Sequence, residues 1–329
     1  MDVSAYSYHV PVLLHEVLTL LDVENAPQNA TYMDATLGGA GHARNILRAI
    51  VPKGGRLIGI DRDTDALKQA EQVLSPFAGS VSLHHANYKD FESVLSEEGV
   101  DKLDYILVDL GVSMHQLKEN ERGFTYRSGA PLDSRMNRED ALTAEEVVNT
   151  YSEQSLCKIL SEYGEERFAR QIAQNIVRRR QTERIDTSDK LNQIVEKSVP
   201  AKFRVPGYLS RTYQAIRIEV NQELTDLQNT FRKMIDHLAP NGRIAIITFH
   251  SIEDRIAKVA LQTAAEGCIC DKRIPYCVCG RKPQVRLVNK HPMTATKEEL
   301  SYNTASSCAK LRVAQKIAYP ADSLAGTNQ

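Results

Sequence analysis

The chain has 329 residues, 42% hydrophobic and 25% charged, with a formal net charge of −1. Such a composition excludes a disordered or low-complexity chain, and the length suits one large domain with an insertion, or two domains. The start, MDVSAYSYHVPV, lacks a signal peptide's basic residues and apolar core, and no apolar run could span a bilayer, so a soluble, cytoplasmic protein without membrane contact is expected.

VPVLLHEVLTLLD reads as an amphipathic helix stopped by polar residues and Pro27. TYMDAT is a short strand that runs into the glycine-rich LGGAGHA and the helical HARNILRAI. After the turn at Lys53-Gly54-Gly55 come the strand RLIGID, the helix-like DTDALKQAEQVL, and the strands SVSLHHANY and LDYILVDLGV. This alternation predicts βαβ units and a doubly wound, mostly parallel sheet, a Rossmann-like α/β fold. From about residue 140 only helical segments follow: TAEEVV with a capping box of Thr143 and Glu146, SLCKILSEY, ERFARQIAQNIVRRR and SDKLNQIVEKSV. Residues 138–205 are therefore expected to form a helical insertion, with 1–137 and 206–329 making one discontinuous domain. The stripe Tyr213, Ile216, Val220, Leu224, Leu227, Phe231, Met234 and Leu238 predicts one long helix over 210–238. RIAIITFHS is a fifth buried strand, KLRVAQKI a last one, and a frayed polar tail is expected beyond it.

The loop from Asp34 to His42, with Gly38, Gly39, Ala40 and Gly41, joins the first strand to the first helix, and Asp61 ends the next strand 20 residues past Gly41. Glycines let a ligand approach the backbone, and a carboxylate at that distance suits ribose hydroxyls. No P-loop is present, and the dinucleotide GxGxxG pattern lacks its third glycine. Asp34 would repel a pyrophosphate but suits a sulfonium or ammonium group, so S-adenosylmethionine is the expected cofactor, with Tyr88 placed to pack on its adenine. The segment LAPNGR resembles the turn before the fifth strand of class I methyltransferases.

The reacting groups of such sheets lie beyond the carboxyl ends of the strands, which points to Asp109 and the following Gly111 and Ser113. The polar tract from Arg122 to Ser134 has the make-up of an active-site lid. In it Phe124 and Tyr126 are candidates for stacking on a base, and Arg122, Arg127 and Arg135 for holding phosphates. Asp133 lies between them, and His250 and Glu253, after the fifth strand, complete the candidate substrate side. Basic runs at 178–180 and 272–290 are compatible with a phosphate backbone. Cys268, Cys270, Cys277 and Cys279 either bind structural zinc or are reduced spectator thiols, and CxC spacing is less typical of zinc than CxxC.

Taken together, YHVPVLLHEVL, DATLGGAGHA, IGIDRD, DLGVS, ERGFTYR, PLDSRM, YGEERFARQIA, TYQAIRIEVNQEL, GRIAIITFHSIEDR and KLRVAQK resemble the MraW family, the bacterial 16S rRNA methyltransferases, from about Tyr8 to Ile317. The resemblance implies a class I methyltransferase domain interrupted by a helical domain that recognises substrate. It implies N4-methylation of a decoding-centre cytidine in 16S rRNA, within the small ribosomal subunit. It also implies S-adenosylmethionine contacts at Ala40, Gly41, His42, Asp61, Tyr88, Asp109 and Gln116; the last was not singled out by the pattern of residues alone. The chain departs from the family pattern after Ser113, where Met114 and His115 stand in place of Ser-Pro, and in PLDSRMN. It also departs at Asn303 to Lys310, which lacks the family's two arginines. An NAD(P)-dependent oxidoreductase and a non-catalytic RNA-binding factor are the rival readings, and a homodimer is left open.

Overall fold

The computed structural model describes residues 11–319 apart from 128, 269, 272 and 274. The first residues of the YHVPVLLHEVL motif, Lys272 of the second basic run, and most of the polar tail lie outside the described residues. Seven strands form one sheet: β1 (Thr31–Asp34), β2 (Arg56–Asp61), β3 (Val81–His85), β4 (Leu103–Asp109), β5 (Leu238–Thr248), β6 (Val285–Leu287) and β7 (Lys310–Lys316). Their order is β3-β2-β1-β4-β5-β7-β6. The first five run parallel, and β7 lies antiparallel between β5 and β6. The central strands are apolar along their length, as strands covered on both faces must be: Leu57, Ile58 and Ile60 in β2 and Ile106, Leu107 and Val108 in β4 are all fully buried. Helices Gly41–Ile50, Thr64–Leu74 and Phe91–Glu97 make the crossovers that parallel neighbours require. This is the doubly wound, mostly parallel α/β sheet that the sequence predicts. Strand order reverses between β1 and β4, and ligands bind at that point in sheets of this kind.

The chain divides into two compact units, Met1–Gly111 with Asp226–Gln329, and Val112–Thr225. The first has a core around the sheet that includes Val17, Leu21, Tyr32, Ile46, Leu107, Ile247 and Val313. The second is built of helices, chiefly Ala144–Thr150, Glu153–Glu162, Ala169–Arg180, Ser188–Ser198 and Ser210–Asn221. It is wider than the 138–205 read from periodicity. Leu132 before that span, and Tyr213, Ile216 and Val220 after it, pack in the same core as Val147, Ile172 and Val195.

Two elements differ from the sequence reading. The long helix expected over 210–238 is two helices, Ser210–Asn221 and Leu227–Asp236. Gln222 (φ 49°) and Asp226 (φ 57°) take left-handed conformations that no α-helix continues through. Ala239-Pro240-Asn241-Gly242, read as a helix stop, is instead a bulge inside β5. Leu238 pairs with Leu103 and Arg243 with Tyr105, so four residues of β5 face the single Asp104 of β4, with Asn241 at φ 66°. β6, three residues long, was not expected.

Candidate functional site

The first unit gathers its acids at one end of the sheet. Asp34, Asp61 and Asp109 are the last residues of β1, β2 and β4, and because these strands are parallel the three carboxyls share the carboxyl-terminal edge. The Tyr32 hydroxyl donates to Asp34 Oδ2 at 2.7 Å, and the Thr36 amide approaches Oδ1 at 3.3 Å. Asp61 accepts from the amides of Gly38 (2.7 Å) and Asp63 (2.8 Å), which ties the glycine loop to the end of β2. The Asp109 amide donates to Thr36 Oγ1 at 2.6 Å, and Oδ2 of Asp109 lies 3.8 Å from Nδ1 of His42. Oδ1 of Asp109 is buried with no hydrogen-bond partner among the described residues.

Burial sets the electrostatics of these acids. It pushes the Asp34 carboxyl up to about 7 against the lowering pull of its two hydrogen bonds, and the Asp61 carboxyl up to about 6. Asp109 is raised well above the usual carboxylate range, first by burial, then by the neighbouring charges of Asp34 and Glu253. A cation bound beside these clustered acids favours their ionised forms, which in turn attract it and repel a pyrophosphate.

The glycine loop owes its residues to more than one demand. Gly38 (φ +53°) needs the freedom of glycine at the turn. Gly41 is required by close packing: a Cβ there would stand 2.5 Å from Cγ of Pro11. Gly39 precedes the left-handed Ala40 (φ 60°), at whose side the helix Gly41–Ile50 begins. His42, buried in the first turn of that helix, has Nε2 2.9 Å from the Val12 carbonyl. Tyr88, also buried, opens the short turn after β3. His250 and Glu253 cap the helix Ser251–Ala265. The Glu253 amide approaches His250 Nδ1 at 3.4 Å, and Glu253 Oε2 accepts from the amides of Phe249 (2.9 Å) and His250 (3.3 Å). Gly111 (φ +98°) faces the Phe249 ring, 3.2 Å from where a Cβ would lie.

The remaining candidates belong to the second unit. Ser113 and Gln116 form a reciprocal capping box on the helix Met114–Lys118: Ser113 Oγ accepts from the Gln116 amide at 3.2 Å, and Gln116 Oε1 from the Ser113 amide at 3.0 Å. The tract from Arg122 onward, expected as a lid, is braced from within. Arg122 is buried and donates through Nη2 to the carbonyls of Arg135 (3.1 Å) and Met136 (2.9 Å). Asn221 bonds both the Met136 amide and the Ser134 carbonyl at 2.8 Å. Arg135 is engaged bidentately by Asp133, Nε to Oδ1 at 2.9 Å and Nη2 to Oδ2 at 2.8 Å, and this holds the Asp133 carboxyl below the usual range against its partial burial. Two of the three arginines read as phosphate holders are thus spent on the loop itself, and Arg127 is exposed. Phe124 is buried under the Arg122 guanidinium at 5.9 Å, while Tyr126 is 42% exposed, edge-on to Tyr213.

Residues 6–317 match the model of the MraW methylase family. The chain belongs to that family. Among curated proteins it is 46% identical over 310 residues to the ribosomal RNA small subunit methyltransferase H of Clostridium botulinum (strain Kyoto / Type A2), covering 94% of this chain and 99% of the relative. It is 45% identical over 311 residues to the protein of the same name in Lachnospira eligens, covering 94% and 98%.

Of the site residues expected from the sequence, Gly39, Ala40, Gly41, His42, Asp61, Tyr88, Asp109, His250 and Glu253 lie in the first unit. Gln116, Ser113, Phe124, Tyr126, Asp133 and Arg135 fall in the second. Sequence reasoning missed Tyr32 and Thr36, which hold Asp34 and Asp109. Their signal was available: Tyr32 lies two residues before Asp34 on the same strand, and therefore on the same face. Among the described residues, no helix is long and apolar enough to cross a membrane.

Proposed function

We propose that this chain is an S-adenosylmethionine-dependent methyltransferase acting on N4 of a decoding-centre cytidine in 16S rRNA of the small ribosomal subunit. The observation that carries the cofactor is the acid-lined edge at the β1–β4 reversal, where Asp109 Oδ1 is buried without a partner. The residues fit such a cofactor: Asp61 for the ribose, Tyr88 for the adenine, and Asp34 for the cationic end, with Ala40, Gly41, His42 and Gln116 assigned by family membership. The buried acids disfavour the pyrophosphate of an NAD(P) enzyme. The rRNA substrate is supported by the names of the relatives, and the N4 position and decoding-centre cytidine by the resemblance to the MraW family.

When bound, the cofactor supplies an electrophilic methyl group. A cytosine amine is a weak nucleophile because its lone pair is delocalised into the ring. Asp109 accepts a hydrogen bond from that amine through its partnerless oxygen, localises the lone pair, and stabilises the positive charge that develops on nitrogen, which the nitrogen then sheds by releasing one proton to solvent. Thr36 fixes the Asp109 backbone, and Tyr32 keeps Asp34 in place. Ser113 and Gln116 shape the start of the second unit, whose exposed Tyr126 is a stacking surface for a base drawn from the rRNA. The helical unit is the substrate-recognition part in this reading.

The deciding experiment is methyl transfer from labelled S-adenosylmethionine to small subunits lacking the modification, with the product nucleoside identified by mass spectrometry. N4-methylcytidine at one decoding-centre position is the expected product. Cofactor binding without incorporation would instead favour a non-catalytic RNA-binding role.

A further inference from the structure

Between the helix Ser251–Ala265 and β6, residues 266–284 form a loop in which none of the described residues is buried. Tyr276 and Val278 are 75% and 72% exposed, so no apolar core draws this segment together. Its base is nonetheless tied down: the Gln284 amide donates to the Ala264 carbonyl at 2.7 Å, and the Tyr319 hydroxyl to the Pro283 carbonyl at 2.8 Å. At its centre the sulfurs of Cys268, Cys270, Cys277 and Cys279 all lie within 4.8 Å of one another.

We propose that these four thiolates hold one structural zinc ion. The spacing matches the metal. Zinc bound tetrahedrally to sulfur at about 2.3 Å separates its sulfurs by about 3.8 Å, and Cys277–Cys279 and Cys268–Cys279 are 3.6 and 3.8 Å apart. A disulfide needs about 2.05 Å, so these contacts are not bonds between pairs. The backbone is arranged for thiolates as well. The Cys270 amide points at Cys268 Sγ (3.4 Å) and the Val278 amide at Cys270 Sγ (3.3 Å), the donors that stabilise negative sulfur around a metal. Four soft ligands from two CxC pairs close the coordination shell, so the site is structural, with no open position for chemistry. A loop with no core of its own gains its order from the metal, and the thiol protons are released on binding.

The test uses the full chain, purified under reducing, oxygen-free conditions. About one zinc per chain is expected by elemental analysis. The double substitution Cys277→Ser/Cys279→Ser should abolish it, while Cys157→Ser, far from the cluster in sequence and in the other unit, retains it. Cobalt substitution should give the intense visible ligand-field and sulfur charge-transfer bands of a tetrathiolate site. Removing the metal should speed tryptic cleavage at Arg273 and Arg281 by about tenfold, without loss of the main unfolding transition. Iron at that stoichiometry would overturn the proposal. So would failure to take up zinc on reconstitution, with all six cysteines of the native chain reacting at once with a thiol reagent.

Discussion

Nδ1 of His42 faces Oδ2 of Asp109 across 3.8 Å, while Nε2 of the same ring lies 2.9 Å from the Val12 carbonyl. A carbonyl only accepts, so Nε2 carries a hydrogen and acts as the donor. The Asp109 carboxyl thus has His42 near one oxygen and its partnerless Oδ1 as the other. Asp109→Ala should leave the fold intact and lower methyl transfer by roughly 10²-fold at saturating cofactor. Unchanged turnover in labelled-methyl incorporation would remove Asp109 from the reaction.

Asp34 is 1% exposed and its carboxyl is pushed up to about 7. A buried charge of this kind destabilises the ligand-free protein at neutral pH. Asp34→Asn keeps the shape and an oxygen for the Tyr32 hydroxyl. The variant should melt higher by a few degrees without ligand, yet bind S-adenosylmethionine about tenfold more weakly. Calorimetric titration and thermal unfolding read the two effects separately, and a variant unchanged in both contradicts the role of Asp34.

The same acids make cofactor binding depend on pH. Asp34 and Asp61 rise from an ordinary 3.8 to about 7 and about 6 in the folded chain. A raised acid contributes stability below its unfolded value, and that contribution is lost as pH climbs through the folded value. Ligand-free stability should therefore fall between about pH 4 and pH 7 from these groups. Their ionised forms favour a cation, so affinity for S-adenosylmethionine should rise over about pH 5.5 to 8 by about tenfold or more. Adenosylhomocysteine, without the sulfonium, should rise less. Equal pH dependence for both ligands would show that the carboxylates do not sense that charge.

In the second unit the bracing of the 122–136 loop can be separated by burial. Arg122→Met leaves the Arg135 and Met136 carbonyls without their buried donor and should cost about 2–3 kcal/mol in denaturant unfolding. Asp133→Ala leaves Arg135, 23% exposed, still donating through Nη1 to the Arg138 and Asp140 carbonyls at 2.9 Å, and should cost no more than about 1 kcal/mol. The reverse order would mean that the half-buried Asp133–Arg135 pair, and not the buried Arg122 guanidinium, holds the loop.

Most of the sheet was legible because continuous apolar runs such as those of β2 and β4 have few other uses. β6 was not: it is three residues long with only Val285 buried, too short to show a period. The break between Asn221 and Leu227 was hidden because the apolar stripe keeps its spacing through it. Neither Gln222 nor Asp226 announces a left-handed conformation as glycine would. At the candidate site, glycines and strand-end acids marked the edge where Asp34, Asp61 and Asp109 meet, but capping and chemistry share an alphabet. The Thr143 to Glu146 pattern was read as a capping box, whereas Ser113 to Gln116 and His250 to Glu253, which cap helices in the same way, were read as site residues. The lid-like tract misled for a related reason: its arginines are polar in sequence, yet Arg122 is buried against backbone carbonyls that only the fold supplies.

β7 lies between β5 and β6, although it comes last of the seven in the chain. On a translating ribosome the outer edge of β5, with its buried run from Ile244 to Thr248, stays an open hydrogen-bonding template until residue 316 has emerged. Closure of the sheet therefore waits until residue 316 has been made, after the 114 residues of Val112–Thr225 have been made and can have folded. A chain stalled or truncated before β7 would keep an unsheltered strand edge and be prone to aggregation, even with every residue of the acid cluster already in place.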